Sequence, residues 1–595
     1  MLQTTMCSAA ARYRQDKDGC HLFVDGNIED TLTILETIDG ASFEGEAFHV
    51  CLSGENTFGE EITLDKRHNI PGKRVVWRSA KEMDPSVVQD LVPLTSWFRC
   101  NDGVHCPSLD WNDVWVHYVS DVANLTADMV PIRNMWTNVS RMTRVSDLGD
   151  ELGWKVIESG FSATENVSTS FVSDEVELLW PRVVRNWIEP RCIVTAVDGK
   201  NITVDPVCWG NLIQRNNGEL PPIPIFVENI VKPPPPGQFA STRDYIFVRP
   251  PSSTPYAVPS DARVPTQSRL LSASNLVNHT FENIVFRGTT WRVASQGGGY
   301  VPSQTLVSSS HGEPYGAVSF ENVRNLVVRN CTFENIGAPY ALYVGNRSQH
   351  VVVSGNTLTD LSGGAIKLGN VLNDTRALST NPRDWDVDYL LHENTLTNVA
   401  VEFKGAAAIF AGYVAETNIS QNTIASTGYT AISLGWGWGA HVQGPQTFAA
   451  DNHVVGNHMT QVCSSLNDCG CVYTLGPQPR STVTSNFCSA DSAPVVGCFY
   501  HDNGSRYFNT TKNVCTSSPA PCCYLQGCCN APAYDCHVSD LWCRDVAPVI
   551  NECEAENCTI DNATLYILSK GESWPPEAQA IVDSSGAGAV SKKGD

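Results

Sequence analysis

The stretch His350–Leu358, HVVVSGNTL, runs β-branched residues up to a Gly-Asn pair and out again into a second short apolar segment. Six further segments stack on the same asparagine: NLVVRNCTF (Asn330), LLHENTL (Asn394), NISQNTI (Asn422), HVVGNHM (Asn457), TVTSNFC (Asn486) and NTTKNVC (Asn513), with NIVFRGTTW (Gly288) as an earlier member. Successive asparagines are 26, 38, 28, 35, 29 and 27 residues apart. After each comes a second short segment: YALYVG, GAIKLG, AAIFAG, TAISLG, GCVYTLG, GCFYHD and CCYLQG. Period-two alternation with β-branched and aromatic residues makes these strands. Two strands per 25–40 residues, each closed by Gly or Asn, describe the coils of a solenoid. An asparagine fixed in each coil can hydrogen-bond its counterparts in adjacent coils and tolerate a left-handed corner. The Leu-x-x-Leu-x-Leu ladder of leucine-rich repeats is absent. The expected fold is therefore all-β, a right-handed parallel β-helix.

The N-terminal half is less regular. FHVCLSG and KRVVWRSA read as first coils, and Trp-rich strands (DWNDVWVHYV, DEVELLWPRVV, CIVTAVDGKNITV) with an Asp198-Gly199 turn follow. They predict an antiparallel β module inserted into the helix or set before it, with Pro233–Pro236 as a stiff connector back to it. The expected division is 1–84 for the N-terminal segment and first coils, 85–265 for the module and connector, 266–550 for the main helix with its cleft, and 551–595 for a C-terminal tail.

A net charge of −23 argues against a nucleic-acid backbone or an anionic membrane as partner, and weakly against a polyanionic substrate, since a local basic cleft can override net charge. No run of 18 apolar residues is present, so no spanning helix is expected. The opening residues lack a hydrophobic signal core and read as a non-native or truncated start. The 22 cysteines and thirteen Asn-x-Ser/Thr sequons, among them Asn124, Asn138, Asn166, Asn201, Asn278, Asn373 and Asn503, nevertheless indicate a secreted chain. Asn330, placed in the repeat row, is expected to face inward, where no glycan fits. Fourteen cysteines fall between Cys463 and Cys558, which predicts a stapled C-terminal region. Their spacing lacks the paired C-x-x-C of a zinc site, so no metal or cofactor is expected. Cys100 with Cys106, and Cys192 with Cys208, are candidate local bridges; the remaining connectivity is open.

At GAAAIFAGYVAETNISQNTIASTGYTAISLGWGWG (Gly405–Gly439), followed by DCGCVYTLGPQP (Asp468–Pro479), the sequence resembles the right-handed β-helix glycosidases of glycoside hydrolase family 141. VELLWP, WIEPRC, FVENI and WPPEAQAIVD extend the resemblance over most of the chain. It implies hydrolysis of plant or algal wall polysaccharide, of xylanase or α-L-fucosidase type, by two acids. One matches Asp468 in DCGC, where the family has glycines in place of Cys469 and Cys471. The other matches Asp502 in GCFYHDNGS, where an acidic pair becomes Asp502-Asn503.

The residues agree with such chemistry. Glycoside hydrolysis needs one protonated and one ionised carboxyl roughly 5–9.5 Å apart, and coils stack about 4.8 Å apart. Asp468 and Asp502 are 34 residues apart, about one coil. Asp468 nevertheless precedes its strand while Asp502 follows its own, so unequal connections are needed to bring them together. Each Asp also reads as an ordinary corner residue. By alternation Lys367, Phe410, Ser433, Tyr473 and Tyr500 share one outward line, with Asp502 in parity and Trp436 and Trp438 at its end. Trp436, Trp438, Tyr473, Tyr500, His501 and Lys367 are the expected substrate contacts, and the partner is an oligo- or polysaccharide bound by a monomer. Two other readings stand beside this one. A polysaccharide lyase would need calcium or clustered cations; a non-catalytic sugar-binding β-helix would fit the Gly to Cys changes.

Overall fold

The computed structural model describes residues 19–24, 28–42, 45–57, 60–80, 85–100, 111, 113–138, 140–167, 176–250, 258–295, 298–299, 304–307, 312–372, 374–442, 446–490, 495–516, 520–528, 531–545 and 549–588. The expected partner of Cys100, Cys106, and the Asn373 sequon lie outside the described residues.

Among the described residues two parallel sheets, of 23 and 11 strands, form the stack of a parallel β-helix. In the larger sheet Arg324–Arg329, Gln349–Ser354, Val387–His392 and Ala415–Ser420 follow one another in parallel register. In the smaller, Tyr340–Gly345, Gly364–Leu368, Ile409–Ala411, Ile432–Leu434, Val472–Thr474, Phe499–His501 and Cys523–Leu525 do the same. Inward aliphatic and aromatic residues from both sheets form one continuous core. The stack runs beyond residue 550: Thr559–Ile560 and Leu565–Leu568 add to the larger sheet. The helix Pro576–Ser584 then covers its outer side, where Ala578 joins Phe487, Val514 and Trp542 in a separate apolar cluster.

The asparagine row is present, one residue out of phase with expectation at its start. Asn356, Asn394, Asn422, Asn457 and Asn486 each donate through Nδ2 to Oδ1 of the next, ending on Asn513, at 2.9–3.0 Å. The same oxygens also accept the backbone N–H of the preceding asparagine. In the coil before Asn356 the position belongs to Cys331, whose N–H donates to Asn356 Oδ1 at 2.9 Å. Asn330 therefore stands outside the ladder and is exposed. It occupies a different row, the corner residue just before the ladder, where Asn330, Gly355, Glu393, Gln421, Gly456, Ser485 and Lys512 all have φ between 52° and 64°. The left-handed turn and the hydrogen-bond ladder thus use neighbouring residues. Glu, Gln and Lys accept strain at the first because every coil over-determines it.

The first coils come from the N-terminal segment. Ile62–Leu64 lies parallel to Leu271–Ser274, and Arg74–Ser79 parallel to Val277–Glu282. Between Ser86–Gln89 and Leu271 the chain leaves the stack and builds the inserted module, among whose described residues two sheets of 8 and 7 strands are joined mostly antiparallel. The Asp198-Gly199 turn closes the hairpin Arg191–Asp198 with Asn201–Val204, and Cys192–Cys208 is bridged. The module docks through a buried charge cluster. Arg133 reaches Glu402 of the helix at 2.7 Å and also pairs with Glu177, which Arg144 and Arg191 hold at 2.8 Å each. Three guanidiniums around Glu177 keep its carboxyl well below the usual range despite burial.

Candidate functional site

Register makes the expected outward line one row of the smaller sheet. Tyr343, Lys367, Phe410, Ser433, Tyr473, Tyr500 and Tyr524 are consecutive partners. At a spacing of about 4.8 Å the last three rings pack on one another, Tyr473 edge to face with Tyr500 at 5.1 Å between centroids and Tyr524 tilted against Tyr500 at 5.3 Å. Two residues after Tyr500, on the same side of the strand, Asp502 receives hydrogen bonds from both: Tyr500 Oη to Oδ1 at 3.0 Å, and Tyr473 Oη to Oδ2.

Asp468 reaches the same point from the corner before Val472–Thr474. Its φ of 58° turns the chain, the Tyr429 hydroxyl donates to its carbonyl at 2.6 Å, and the N–H of Asn467 donates to Asn186 of the inserted module at 2.9 Å. Disulfides close both sides of the corner, Cys463–Cys469 before it and Cys471–Cys488 after it. Between the two cysteines Gly470 has no room for a side chain, since an added Cβ would lie 2.5 Å from the Gly497 carbonyl oxygen. Cys471–Cys488 spans 17 residues, a loop whose closure is worth about 3 kcal/mol in the chain-entropy account. Replacing both cysteines by serine is expected to lower the unfolding free energy by about that amount, read from the denaturant midpoint.

The two acids meet at one atom. Tyr500 Oη lies 3.1 Å from Asp468 Oδ1 and 3.0 Å from Asp502 Oδ1, so the two accepting oxygens are at most about 6 Å apart. The unequal connections required by the sequence are realised: the residues from Gln461 to Cys471 carry Asp468 back over the following coil. Burial raises the Asp468 carboxyl to about 6, with the Asp502 charge as a second cause and the Tyr500 hydrogen bond opposing. Burial also raises Asp502, against the pull of Tyr473, the Asn503 N–H and Tyr500. The surrounding phenols Tyr429, Tyr473 and Tyr500 are pushed up by burial and by these carboxylates, so they stay protonated. One hydroxyl hydrogen cannot serve two carboxylates at once. Asp502 has two tyrosine donors and Asp468 one, so the arrangement is satisfied when Asp468 carries the proton, donates to Tyr500, and Tyr500 donates to Asp502.

Trp436 and Trp438 adjoin this pair. Their rings are 4.7 Å apart, Trp436 sits edge-on to Phe410 at 5.8 Å, and the Trp438 carbonyl closes over the turn after Asp502, 2.2 Å from where a Gly504 Cβ would be. Trp438 is 36% exposed. Two expected contacts are elsewhere. His501 has opposite parity to Tyr500, so it points into the core, neutral with its pKa lowered to about 4, between Thr474 Oγ1 (2.8 Å) and Thr510 Oγ1 (2.7 Å). Lys367 is on the row but three strands, about 14 Å, from Tyr473. It is buried under a loop, ion-paired with Glu313, and lies 4.7 Å over the Tyr343 ring. Sequence reasoning did not single out Tyr429 or Tyr524. Tyr524 continues the row in CCYLQG and bonds the exposed Glu552 at the rim; Tyr429, inside GYTAISLG, carried no pattern that distinguished it.

No known protein family matches the chain, and no curated protein is similar to it. Among solved structures it is similar to one described as a glycoside hydrolase, at 17% identity and a TM-score of 0.69 over 95% of this chain and 96% of the other. That likeness is one of fold. A GH136 lacto-N-biosidase from Eubacterium ramulus (12% identity, TM-score 0.36, 52% and 51% covered) and the catalytic domain of a GH87 α-1,3-glucanase in complex with nigerose (8%, 0.28, 75% and 98%) are more remote.

Proposed function

We propose that this chain is a secreted glycoside hydrolase acting on plant or algal wall polysaccharide, xylan-like or fucosylated, with Asp468 and Asp502 as its two carboxylates. The reading is carried by the Tyr500 hydroxyl, which lies within 3.1 Å of both acids. Asp468, part-exposed and raised to about 6, suits the general acid that protonates the leaving oxygen. Asp502, with two phenol donors, suits the carboxylate that stays ionised. An upper bound of about 6 Å between the oxygens that share Tyr500 lies below the inverting range of ~6.5–9.5 Å, which supports Asp502 as nucleophile. The likeness in fold to a protein described as a glycoside hydrolase supports the class, and the family 141 motifs support the substrate. The disulfides support secretion.

A lyase finds less support, because Lys367, the one cation on the row, is buried and neutralised by Glu313. A carbohydrate-binding β-helix without catalysis has one observation behind it: Asp502 is only 7% exposed. Reducing-sugar release from xylan, fucosylated glycans and a wider polysaccharide panel tests the proposal. Wild type should release sugar and Asp502→Asn should not; a wild type inert on every glycan leaves the binding reading. Tyr500→Phe removes the hydroxyl that links the two acids, so kcat should fall about tenfold, read from initial rates on the responsive glycan.

A further inference from the structure

Where the inserted module meets the helix, two to five coils before Asp468, the structure forms a half-open cavity of about 530 Å³, within the ~300–1,000 Å³ range of ligand sites. Trp136, Arg141 and Arg263 line it from the module, and Arg287, Glu334 and Asp360 from the helix. Most of these groups hold one another. Arg141 bonds Asp360 Oδ1 and Ser362 Oγ at 2.8 Å, Trp136 Nε1 donates to Asp360 Oδ2 at 2.7 Å, and Arg287 pairs with Glu334 at 2.7 Å. Arg263 differs. Its backbone pairs with Trp136 and Pro93, which fixes the root of the side chain on a strand, yet its guanidinium has no ion pair or hydrogen bond among the described residues. The lining therefore holds three guanidiniums against two carboxylates, both of the latter already engaged. Asp261, the nearby acid, holds the Asn138 N–H at 3.2 Å and does not line the cavity. In a chain of net charge −23 this is a local positive site with one uncommitted planar donor fork.

We propose that this cavity is a second saccharide site that takes a sugar bearing a carboxylate, a uronate branch of the polysaccharide, with Arg263 as the bidentate partner of the carboxylate. A planar guanidinium matches a carboxylate with two parallel N–H···O bonds. The pre-paired Arg141–Asp360 and Arg287–Glu334 couples supply fixed donors and acceptors for ring hydroxyls, without charge left over to repel the ligand. The assignment of a sugar rests on the glycan reading above; the assignment of an anion rests on the cavity alone.

Isothermal titration with a glucuronate-branched xylotetraose, plain xylotetraose and inorganic sulfate tests it on the intact chain. Wild type and Asp468→Asn should bind the branched oligomer, plain xylotetraose should bind at least tenfold more weakly, and Arg263→Gln should lose about 10- to 100-fold while Arg263→Lys recovers part. Arg263→Gln should keep the wild-type melting temperature, since the side chain supports no other group. Equal affinity for the branched and plain oligomers, or an Arg263→Gln variant that binds as wild type, overturns the site; sulfate binding as tightly as the branched oligomer overturns its assignment to a sugar. If wild type hydrolyses no glycan yet binds the uronate through Arg263, the catalytic proposal falls and this one stands; hydrolysis without such binding has the opposite meaning.

Discussion

Asp468→Asn is expected to lower turnover on the responsive glycan by about 10²- to 10⁴-fold, the usual contribution of a positioned general acid. The variant keeps the shape of the side chain and can still hydrogen-bond Tyr500, so the corner held by Cys463–Cys469, Cys471–Cys488 and Tyr429 should stay in place. What it loses is the transferable proton. Because burial raises the wild-type carboxyl to about 6, the acid form dominates below that pH and disappears above it. Wild-type kcat should therefore fall as pH rises through about 6, and the residual activity of the variant should lack that limb. A full pH profile of kcat for both proteins is the measurement. An unchanged limb in the variant would assign the titration to another group, and undiminished turnover would remove Asp468 from the mechanism.

Asn422→Leu should cost about 3 kcal/mol or more of stability, although the residue is far from any candidate chemistry. Leucine is close in volume, so the penalty is polar in origin. Asn422 Oδ1 accepts both the N–H and the Nδ2 of Asn394, and its own Nδ2 donates to the Leu391 carbonyl and to Asn457 Oδ1. Removing the amide strands donors on one side and acceptors on the other, all fully buried, at about 1–3 kcal/mol for each unsatisfied group. Asn330→Leu, three coils earlier and outside the ladder, should cost far less through the polar term. Chemical denaturation of the two variants against wild type distinguishes a ladder position from a corner position.

That contrast marks how far the sequence could be read. The solenoid was legible because each coil repeats the same two strands, and one face of one strand could be followed through six register partners. Its corner chemistry was only half legible. Asparagine suits both a left-handed turn and a side-chain ladder, and only the coordinates separate Asn330 in the first from Asn356 in the second. At the site, parity places Tyr473, Tyr500 and Asp502 together, and it sends His501, expected as a contact beside Asp502, inward between Thr474 and Thr510. Alternation also says which way a side chain leaves its sheet without saying what lies over it, so Lys367 reads as open although a loop bearing Glu313 covers it. The Asp468–Asp502 meeting depended on an irregular connection, and was suggested by motif resemblance more than by spacing. The cavity at Arg263 was not legible at all. Its walls come from residues between Leu91 and Asn398, joined by a docking surface that no local pattern encodes.

The excursion of the chain between Gln89 and Leu271 has a consequence for the order of events during synthesis. Val75 finds its register partner in His279, 204 residues later. At ribosomal rates of about 5–20 residues per second the first coils wait roughly 10–40 s for the strands that cover them. For that interval their apolar edge, Val75, Trp77 and Val88 among it, has no stack to join, whereas each later coil meets its predecessor at once. The inserted module is completed in the meantime, so growth of the solenoid starts only when a finished globule brings its two ends together. The amino-terminal coils thus wait longest for the strands that cover them, although they are the first to be made.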